Sequence, residues 1–139
     1  MQNSKPVTIL LVDDDHVDVM GVKRSFNQFN FKNPIVVALD GCDALEKLRD
    51  GKTVSRPYLV LLDLNMPRMN GIEFLTAARK DPELSDSVVF VLTTSNAGED
   101  KEKAYAHNVA GYIVKEGGRE RFINVVGLLE QYSKVVELP

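Results

Sequence analysis

The stretch VTILLVDDDHVD, residues 7–18, decides the fold class and poses a question about charge. Its first half, VTILLV, is an apolar run rich in β-branched residues, which is typical of a strand buried on both faces. Such a strand normally ends in neutral turn residues, but this one ends in three adjacent carboxylates, Asp13, Asp14 and Asp15. Adjacent carboxylates repel one another, so they must reach into water or share a positive charge. The sequence therefore predicts a cationic partner at this strand end.

The rest of the chain repeats the alternation of a strand-length apolar run and a stretch with helical spacing. The four further runs are PIVVAL ending at Leu39, YLVLL ending at Leu62, VVFVL ending at Leu92 and GYIV ending at Val114. Strands that alternate with helices favour right-handed crossover connections and a parallel sheet covered by helices on both faces. We therefore predict an α/β fold with a doubly wound five-stranded parallel sheet. Its second and third helices should end at Asp50-Gly51 and Asp81-Pro82.

The composition narrows the classes of function. With 139 residues, of which 44% are hydrophobic and 27% charged, the chain has the size and balance of one globular domain. A formal net charge of -3 gives no general attraction to nucleic acid or to a membrane of anionic lipid, so neither is an expected partner. No apolar run approaches membrane-spanning length or the core of a signal peptide, and we expect a cytoplasmic protein. Cys42, the single cysteine, is expected to be a half-buried helix residue that forms no disulfide.

Charged and hydroxyl side chains follow the predicted strands. The carboxyl ends of parallel strands meet along one edge of the sheet, where ligands bind in open α/β folds. Acids on central strands, with a hydroxyl and a lysine beside them, suit a divalent cation and a phosphoryl group. The residues that follow the second to fifth strands at this edge are Asp40, Asp63, Thr93 with Thr94 and Ser95, and Lys115.

A divalent cation would neutralise the acids at this edge. Mg²⁺ prefers oxygen ligands and keeps several waters, so two carboxylates such as Asp14 and Asp63 are sufficient to hold it. A carboxylate beside a metal can also attack a phosphoryl group and form an acyl phosphate. Thr93 and Lys115 would then stabilise the charge on the transferred group.

Two further acids have a simpler interpretation. Asp15 and Asp18 each precede a helical run, where an aspartate commonly serves as a solvated helix cap. We predict that the cap is Asp15.

Five stretches in order resemble the response-regulator receiver domain of bacterial two-component systems. They are VDDD after the first strand, ALDGCDALEKL around the second helix, LVLLDLNMPRMNG after the third strand, VLTTS after the fourth and GYIVK at the fifth. The resemblance covers the chain from about Val7 to Tyr132. It implies a flavodoxin-like (βα)5 fold with strand order 2-1-3-4-5, as a single receiver domain over residues 1–139 with a short C-terminal extension after about residue 132.

The resemblance also implies a role for each matching residue. Asp63 would be the phosphoacceptor, and Lys115 and Thr93 would assist the transfer. Thr94 and Lys115 would bind the phosphoryl group, and Thr93 and Tyr112 would form the conformational switch. The implied Mg²⁺ ligands are Asp13, Asp14, Asp63 and the backbone carbonyl of Asn65.

The stretches LDLNMPRMNG and LTTSNAGEDKEKAY are similar to stand-alone receivers partnered with phytochrome-type histidine kinases. The resemblance implies a sensor histidine kinase as partner. It also implies that the protein is a signalling phosphoprotein, not an enzyme, that promotes its own phosphorylation and dephosphorylation. The chain departs from the family pattern after the lysine, where Glu116 replaces the usual proline and leaves the approach of Lys115 less rigid. A second departure is Tyr58, which stands where the family often has aspartate.

Two other functions fit parts of the pattern. Asp13 to Val17 also reads as the D-x-D-x-V motif of haloacid-dehalogenase-like phosphatases, with Asp13 as nucleophile and Asp15 as acid and base. Those enzymes need a second acidic pair on a strand after the lysine, where this sequence predicts only a helix. A degenerate receiver that acts as a binding module is the other alternative, and the full set of site residues weakens it.

The end of the chain predicts a protein contact. Tyr132, Val135 and Val136 extend the apolar stripe of the last helix beyond the turns needed to cover the sheet. A stand-alone regulator needs a protein surface for its output, so we predict a homodimer that uses this helix or its extension.

Overall fold

The computed structural model describes residues 6–117 and 122–139. The remaining positions of the predicted 1–139 domain lie outside the described residues. Within the described ranges, strands and helices alternate along the whole chain, and no helix is both long and apolar enough to cross a membrane. The elements are β1 Thr8–Val12, α1 His16–Gln28, β2 Ile35–Ala38, α2 Gly41–Arg49, β3 Tyr58–Leu62, α3 Gly71–Lys80, β4 Val89–Thr93, α4 Gly98–Ala106, β5 Gly111–Val114 and α5 Ile123–Val135.

The five strands form one parallel sheet in the order β2-β1-β3-β4-β5, which confirms the predicted topology. β1 and β3 are central neighbours, and Val12 pairs with Leu62 at their carboxyl ends. The chain order reverses at this point, which is where open α/β sheets bind ligands. The acids that follow β1 and β3 are therefore placed side by side.

Helices cover both faces of the sheet. α1 and α5 pack on one face, where Phe26 and Val126 join the strand residues Ile9, Leu11 and Leu61 in one core cluster. α2, α3 and α4 pack on the other face around Phe74. Alternate residues of each central strand point to opposite clusters, as the period of a strand requires. The doubly wound arrangement is thereby confirmed.

Two strands end one residue away from the predicted position. β2 ends at Ala38 because the N–H of Leu39 turns away and donates to the Asp43 carboxylate at 3.0 Å, which leaves the Leu39 side chain 58% exposed. β4 extends to Thr93 because the Thr93 carbonyl accepts from the Lys115 N–H at 2.7 Å. Polar contacts just beyond an apolar run thus decide where each strand ends.

Most of the predicted helix boundaries are confirmed. Asp15 is the N-cap of α1 and accepts hydrogen bonds from the N–H groups of Val17 and Asp18. Asp50 and Asp81 are the C-caps of α2 and α3, and Gly51 follows with a φ of 69°. Cys42 is a helix residue with a free thiol, as predicted, but the prediction that it is half-buried was wrong, since it is exposed. It is the second residue of α2 and lies on the solvent side of that helix, whereas the buried residues Ala44, Leu45 and Leu48 face the sheet.

The C-terminal segment packs partly against the domain itself. α5 continues to Val135, and the Tyr132 ring meets the Phe90 ring edge-on at a centroid distance of 5.0 Å. Leu138 also packs against the cluster between the sheet, α1 and α5. Val135 is 76% exposed and Val136 is 39% exposed, so these two valines are the apolar side chains that this segment presents to solvent.

Candidate functional site

The sheet fixes the backbone at the carboxyl edge. The N–H of Asp13 donates to the carbonyl of Ala38 at 3.0 Å, and the N–H of Asp63 donates to the carbonyl of Val12 at 2.9 Å. The Lys115 N–H is held by Thr93 in the same way. Asp13, Asp63 and Lys115 thus follow their strands directly while still sharing the ladder of hydrogen bonds. Rigid backbone is what a site needs if its side chains are to keep one geometry.

The Lys115 ammonium group lies among three carboxylates. Its Nζ is 2.7 Å from Oδ2 of Asp18, 3.0 Å from Oδ2 of Asp13 and 3.4 Å from Oδ2 of Asp63. All four side chains are buried, and none is more than 8% exposed. The structure therefore brings together three predicted site residues and adds one that was not predicted to belong to the site, Asp18.

Charge in this cluster is not balanced by the described residues. Three carboxylates meet one ammonium, and Asp14 lies beside them. Burial raises the pKa of Asp13 to about 6, although the Asp15 N–H and the Lys115 charge oppose the rise. For Lys115, burial lowers the pKa, but the hydrogen bond to Asp18 and the negative charges of Asp13 and Asp63 outweigh it, so the net pKa is raised. The three carboxylates of Asp13, Asp14 and Asp63 exceed the charge of the one described ammonium beside them, which leaves room for a further cation.

Three carboxylates are arranged to receive that cation. One oxygen from each of Asp13, Asp14 and Asp63 lies within 4.8 Å of the others, and the Asp14 carboxylate is exposed to solvent. Asn65 and Asp14 line one shallow cleft, and the Asn65 N–H donates to Oδ1 of Asp63 at 3.2 Å. An all-oxygen donor set with solvent on one side fits a hard divalent cation that keeps several waters.

The predicted switch residues lie on β4 and β5. Thr93 is fully buried beside the site, and its Oγ1 accepts from the Ser95 N–H at 3.4 Å, whereas Thr94 is exposed. The Tyr112 hydroxyl donates to the Ser95 carbonyl at 2.8 Å, and its ring packs against the core. Burial raises the pKa of Tyr112, while the hydrogen bond to Ser95 opposes the rise. In this structure the Tyr112 ring thus packs against the core while its hydroxyl is bound to the backbone just after β4. The Ser95 hydroxyl in turn donates to Asp100 of α4 at 2.6 Å.

The loop after Asp63 is held close by a glycine. A Cβ on Gly71 would lie 2.6 Å from the Asp63 carbonyl oxygen and 2.7 Å from Cα of Leu64, so a larger residue would displace this loop. In the same loop, Nε of Arg68 donates to Asp40 at 2.6 Å, and this hydrogen bond lowers the pKa of Asp40. Asp40 was placed at the edge correctly, but it caps α2 and pairs with Arg68 instead of joining the acid cluster.

The predicted cap of α1, Asp15, is confirmed. Asp18 was considered as another solvated cap, but it lies in the first turn of α1 with only 6% exposure. A signal was present in the sequence. Asp18 is four residues before Val22, a buried residue of α1, so helical spacing places its charge on the inward face.

Comparisons with known proteins agree with this site. The model of the response regulator receiver domain family matches residues 9–127. The probable methanogenesis regulatory protein FilR2 of Methanothrix harundinacea is 34% identical over 134 residues, which cover 95% of this chain and 86% of the relative. Response regulator Rcp1 of Synechocystis is 30% identical over 142 residues, which cover 99% of this chain and 97% of the relative.

Solved structures give the same result. The phosphorylated cyanobacterial phytochrome response regulator RcpA superposes with a TM-score of 0.86 at 31% identity, covering 97% of this chain and 99% of that one. The Mn²⁺-bound form of Rcp1 superposes with a TM-score of 0.84 at 30% identity, covering 96% and 99%.

The alternative functions find no support in these comparisons. A haloacid-dehalogenase-like phosphatase would need a further acidic strand after Lys115, but the described residues after it form α5 and no strand. The described site residues are complete, which also speaks against a degenerate receiver. With this fold, this site and these relatives, the chain belongs to the response regulator receiver domain family.

Proposed function

We propose that this receiver accepts a phosphoryl group on Asp63 from the phosphohistidine of a sensor histidine kinase. The observation that carries the proposal is the position of the Asp63 carboxylate, at the end of a central strand, 3.4 Å from the Lys115 ammonium and grouped with Asp13 and Asp14. An oxygen of Asp63 forms the new bond to phosphorus while the bond from phosphorus to the imidazole nitrogen breaks. The product is an acyl phosphate on Asp63, and the donor histidine is released.

The neighbouring residues are proposed to stabilise the transferred group. Thr93 ends β4, the strand next to β3, and Lys115 follows β5, the strand beyond it. The Thr93 hydroxyl and the Lys115 ammonium are proposed to contact phosphoryl oxygens as charge develops on them. Thr94 is exposed beside Thr93 and is proposed to bind the phosphoryl group from the solvent side. The same groups would assist attack by water, so the protein would promote its own dephosphorylation as well as its phosphorylation.

Mg²⁺ is the proposed metal. The carboxylates of Asp13, Asp14 and Asp63, with the backbone carbonyl of Asn65, would hold it. When bound, a dication neutralises the acid cluster and the negative charge on phosphoryl oxygens. A related structure, that of Rcp1, contains Mn²⁺, and the two ions share a preference for oxygen ligands.

A phytochrome-type kinase is the proposed partner, since the similar structure of RcpA is that of a phytochrome response regulator. Phosphorylation is proposed to shift the Thr93 and Tyr112 pair between two packings and so change the surface of α4, β5 and α5. The test is incubation of the wild-type protein with a small phosphodonor and Mg²⁺, followed by intact-mass analysis. We expect one added phosphoryl group that is lost in alkali, as an acyl phosphate should be. An unchanged mass at every Mg²⁺ concentration would contradict the proposal.

Replacement of Lys115 by alanine should separate metal binding from phosphoryl transfer. Removing the ammonium leaves the three metal-facing carboxylates in place and takes away a competing cation, so Mg²⁺ binding should be unchanged or tighter. Phosphorylation should fall by at least about tenfold because a cationic group is lost from the transferring phosphoryl oxygens. Calorimetric Mg²⁺ titration and Phos-tag gels measure the two effects. Lys47→Ala is the matched control, since Lys47 pairs with Asp43 away from the site. Loss of Mg²⁺ binding in Lys115→Ala would show that this lysine supports the fold instead.

The homodimer remains a prediction. Tyr132 and Leu138 are used within the domain, so the contact would rest on Val135 and Val136 together with the outward face of α5. Sedimentation should show a dimer at micromolar concentration, and Val136→Asp should weaken it because a charge would enter the apolar contact. Leu39→Asp is the matched control, since Leu39 is another exposed apolar residue but follows β2. A monomeric wild type, with and without beryllofluoride, would exclude this dimer.

A further inference from the structure

The shortest contact of the Lys115 ammonium is with a residue outside the predicted site. Asp18 Oδ2 lies 2.7 Å from Nζ, compared with 3.4 Å for the acceptor carboxylate of Asp63. Both partners are buried, with side-chain exposures of 2% for Lys115 and 8% for Asp18. A charged hydrogen bond at this distance, shielded from water, is strong enough to select the position of a flexible lysine side chain.

Asp18 is well placed to hold Lys115 without competing for a metal. It lies on α1, whose start is fixed by the Asp15 cap, and α1 packs against the sheet through Val22 and Phe26. It is not one of the three carboxylates that converge on a common point, Asp13, Asp14 and Asp63. Asp13 and Asp63 thus contact the ammonium and also belong to the group of carboxylates that could bind a metal. Asp18 contacts the ammonium and does not belong to that group.

The residue that follows Lys115 gives its backbone no added rigidity, which makes a contact at the ammonium end important. Glu116 follows the lysine, so no proline ring restricts the backbone at this point. The described backbone anchor is the single hydrogen bond from the Lys115 N–H to Thr93. Four rotatable bonds separate this anchor from Nζ, and a contact at the far end is what restricts them.

We propose that Asp18 is a positioning residue for phosphoryl transfer, which holds the Lys115 ammonium beside Asp63 from the side of α1. This inference rests on the proposed function of Asp63 and Lys115. Asp18 does not touch the phosphoryl group and acts through the lysine. Its removal should therefore reduce the benefit of Lys115 and have no effect once Lys115 is absent.

The experiment is a double-mutant cycle of Asp18→Asn and Lys115→Met. Phosphorylation by a small phosphodonor is followed at saturating Mg²⁺, so that changes in metal affinity do not enter the rate. We expect Asp18→Asn to slow phosphorylation by about tenfold in the wild-type background and by less than about twofold in Lys115→Met. Asp18→Ala, which removes the acceptor as well as the charge, should be slower than Asp18→Asn, and Asp18→Glu should recover part of the rate. Asp43→Asn, which removes a paired carboxylate on α2, should retain the wild-type rate.

A second measurement does not depend on phosphorylation. The buried ammonium of Lys115 should give a slowly exchanging ¹H–¹⁵N signal that disappears or shifts in Asp18→Asn and persists in Asp43→Asn. Equal rates in wild type and in both Asp18→Asn and Asp18→Ala, an equal loss in both lysine backgrounds, or an unchanged ammonium signal would overturn the positioning role. If wild type accepts no phosphoryl group at all, the proposed function fails, and the ammonium signal still reports whether Asp18 holds Lys115.

Discussion

Asp63→Asn is expected to abolish phosphoryl uptake. The substitution keeps the shape of the side chain and the backbone hydrogen bond to Val12, so the fold should be retained. An amide oxygen is a poor nucleophile and cannot form a stable acyl phosphate, so no residual labelling should remain at this position. Phos-tag gels and intact-mass analysis after incubation with a small phosphodonor and Mg²⁺ measure the loss.

Two comparisons make this result specific. Asp50→Asn is the matched control, since Asp50 is an exposed aspartate at the end of α2, and this variant should be labelled like wild type. Asp13→Asn should weaken labelling through metal binding while retaining some of it. Equal labelling of wild type and Asp63→Asn would refute the assignment of Asp63. Labelling that survives in Asp63→Asn and vanishes in Asp13→Asn would instead place the nucleophile at Asp13.

The sequence was sufficient to predict the sheet and most of the site because two local signals coincide. Each strand is a short apolar run, and each run stops where a functional side chain begins. In a parallel sheet these stops must lie along one edge, so Asp13, Asp63, Thr93 and Lys115 could be placed together before any coordinates were known. No strand boundary was in error by more than one residue, because the apolar runs themselves set the limits.

The contacts between different helices and strands could not be predicted in this way. Asp18 meets Lys115 across 97 positions of sequence, and no local pattern specifies that pair. An aspartate in the first turn of a helix is usually a favourable charge near the helix dipole, which hid its inward orientation. The pairing of Asp40 could not be predicted either, since its partner Arg68 lies on another loop. Arg68 has a φ of 60°, a backbone conformation that the sequence did not indicate. These pairings depend on how α1 and the β3 to α3 loop are set on the sheet.

In the metal-free protein, the contribution of the Asp13 carboxyl group to stability should fall as the pH rises. Asp13 in the unfolded chain loses its proton near its ordinary pKa of 3.8, whereas burial in the folded protein raises this pKa to about 6. Between these two values the folded state binds more protons than the unfolded state, so the free energy of unfolding falls as the pH rises. Since one pKa unit corresponds to about 1.4 kcal/mol, the contribution of Asp13 to stability is full below about pH 4 and about 3 kcal/mol smaller above pH 6.

Asp13→Asn isolates this effect from the other titrating groups. In EDTA, urea unfolding should show that the variant gains stability relative to wild type by about 3 kcal/mol between pH 4 and pH 8, because asparagine carries no charge at either pH. Asp43→Asn is a control for which the effect on stability should change with pH in the opposite direction. Burial acts to raise the pKa of Asp43, but the hydrogen bonds from Lys47 and Leu39 outweigh it and lower the pKa. The stabilisation by the Asp43 carboxylate is therefore present at pH 8 and lost as the pH falls below the ordinary value, so this variant should be most harmful at pH 8.

Millimolar Mg²⁺ should offset the loss of stability that the charged Asp13 causes at pH 8, because a ligand that binds only the folded state stabilises it by mass action. Wild type should gain stability with Mg²⁺, by about 2.7 kcal/mol when the ion is at 100 times its Kd, and Asp13→Asn, Asp14→Ala and Asp63→Ala should gain less. The charge that makes Asp13 unfavourable in EDTA is then the charge that attracts the ion, so Asp13→Asn should remove the pH-dependent loss of stability and also reduce the gain from Mg²⁺. A wild type whose unfolding curves in EDTA and in Mg²⁺ coincide at pH 8 would show that these three acids do not form a metal site.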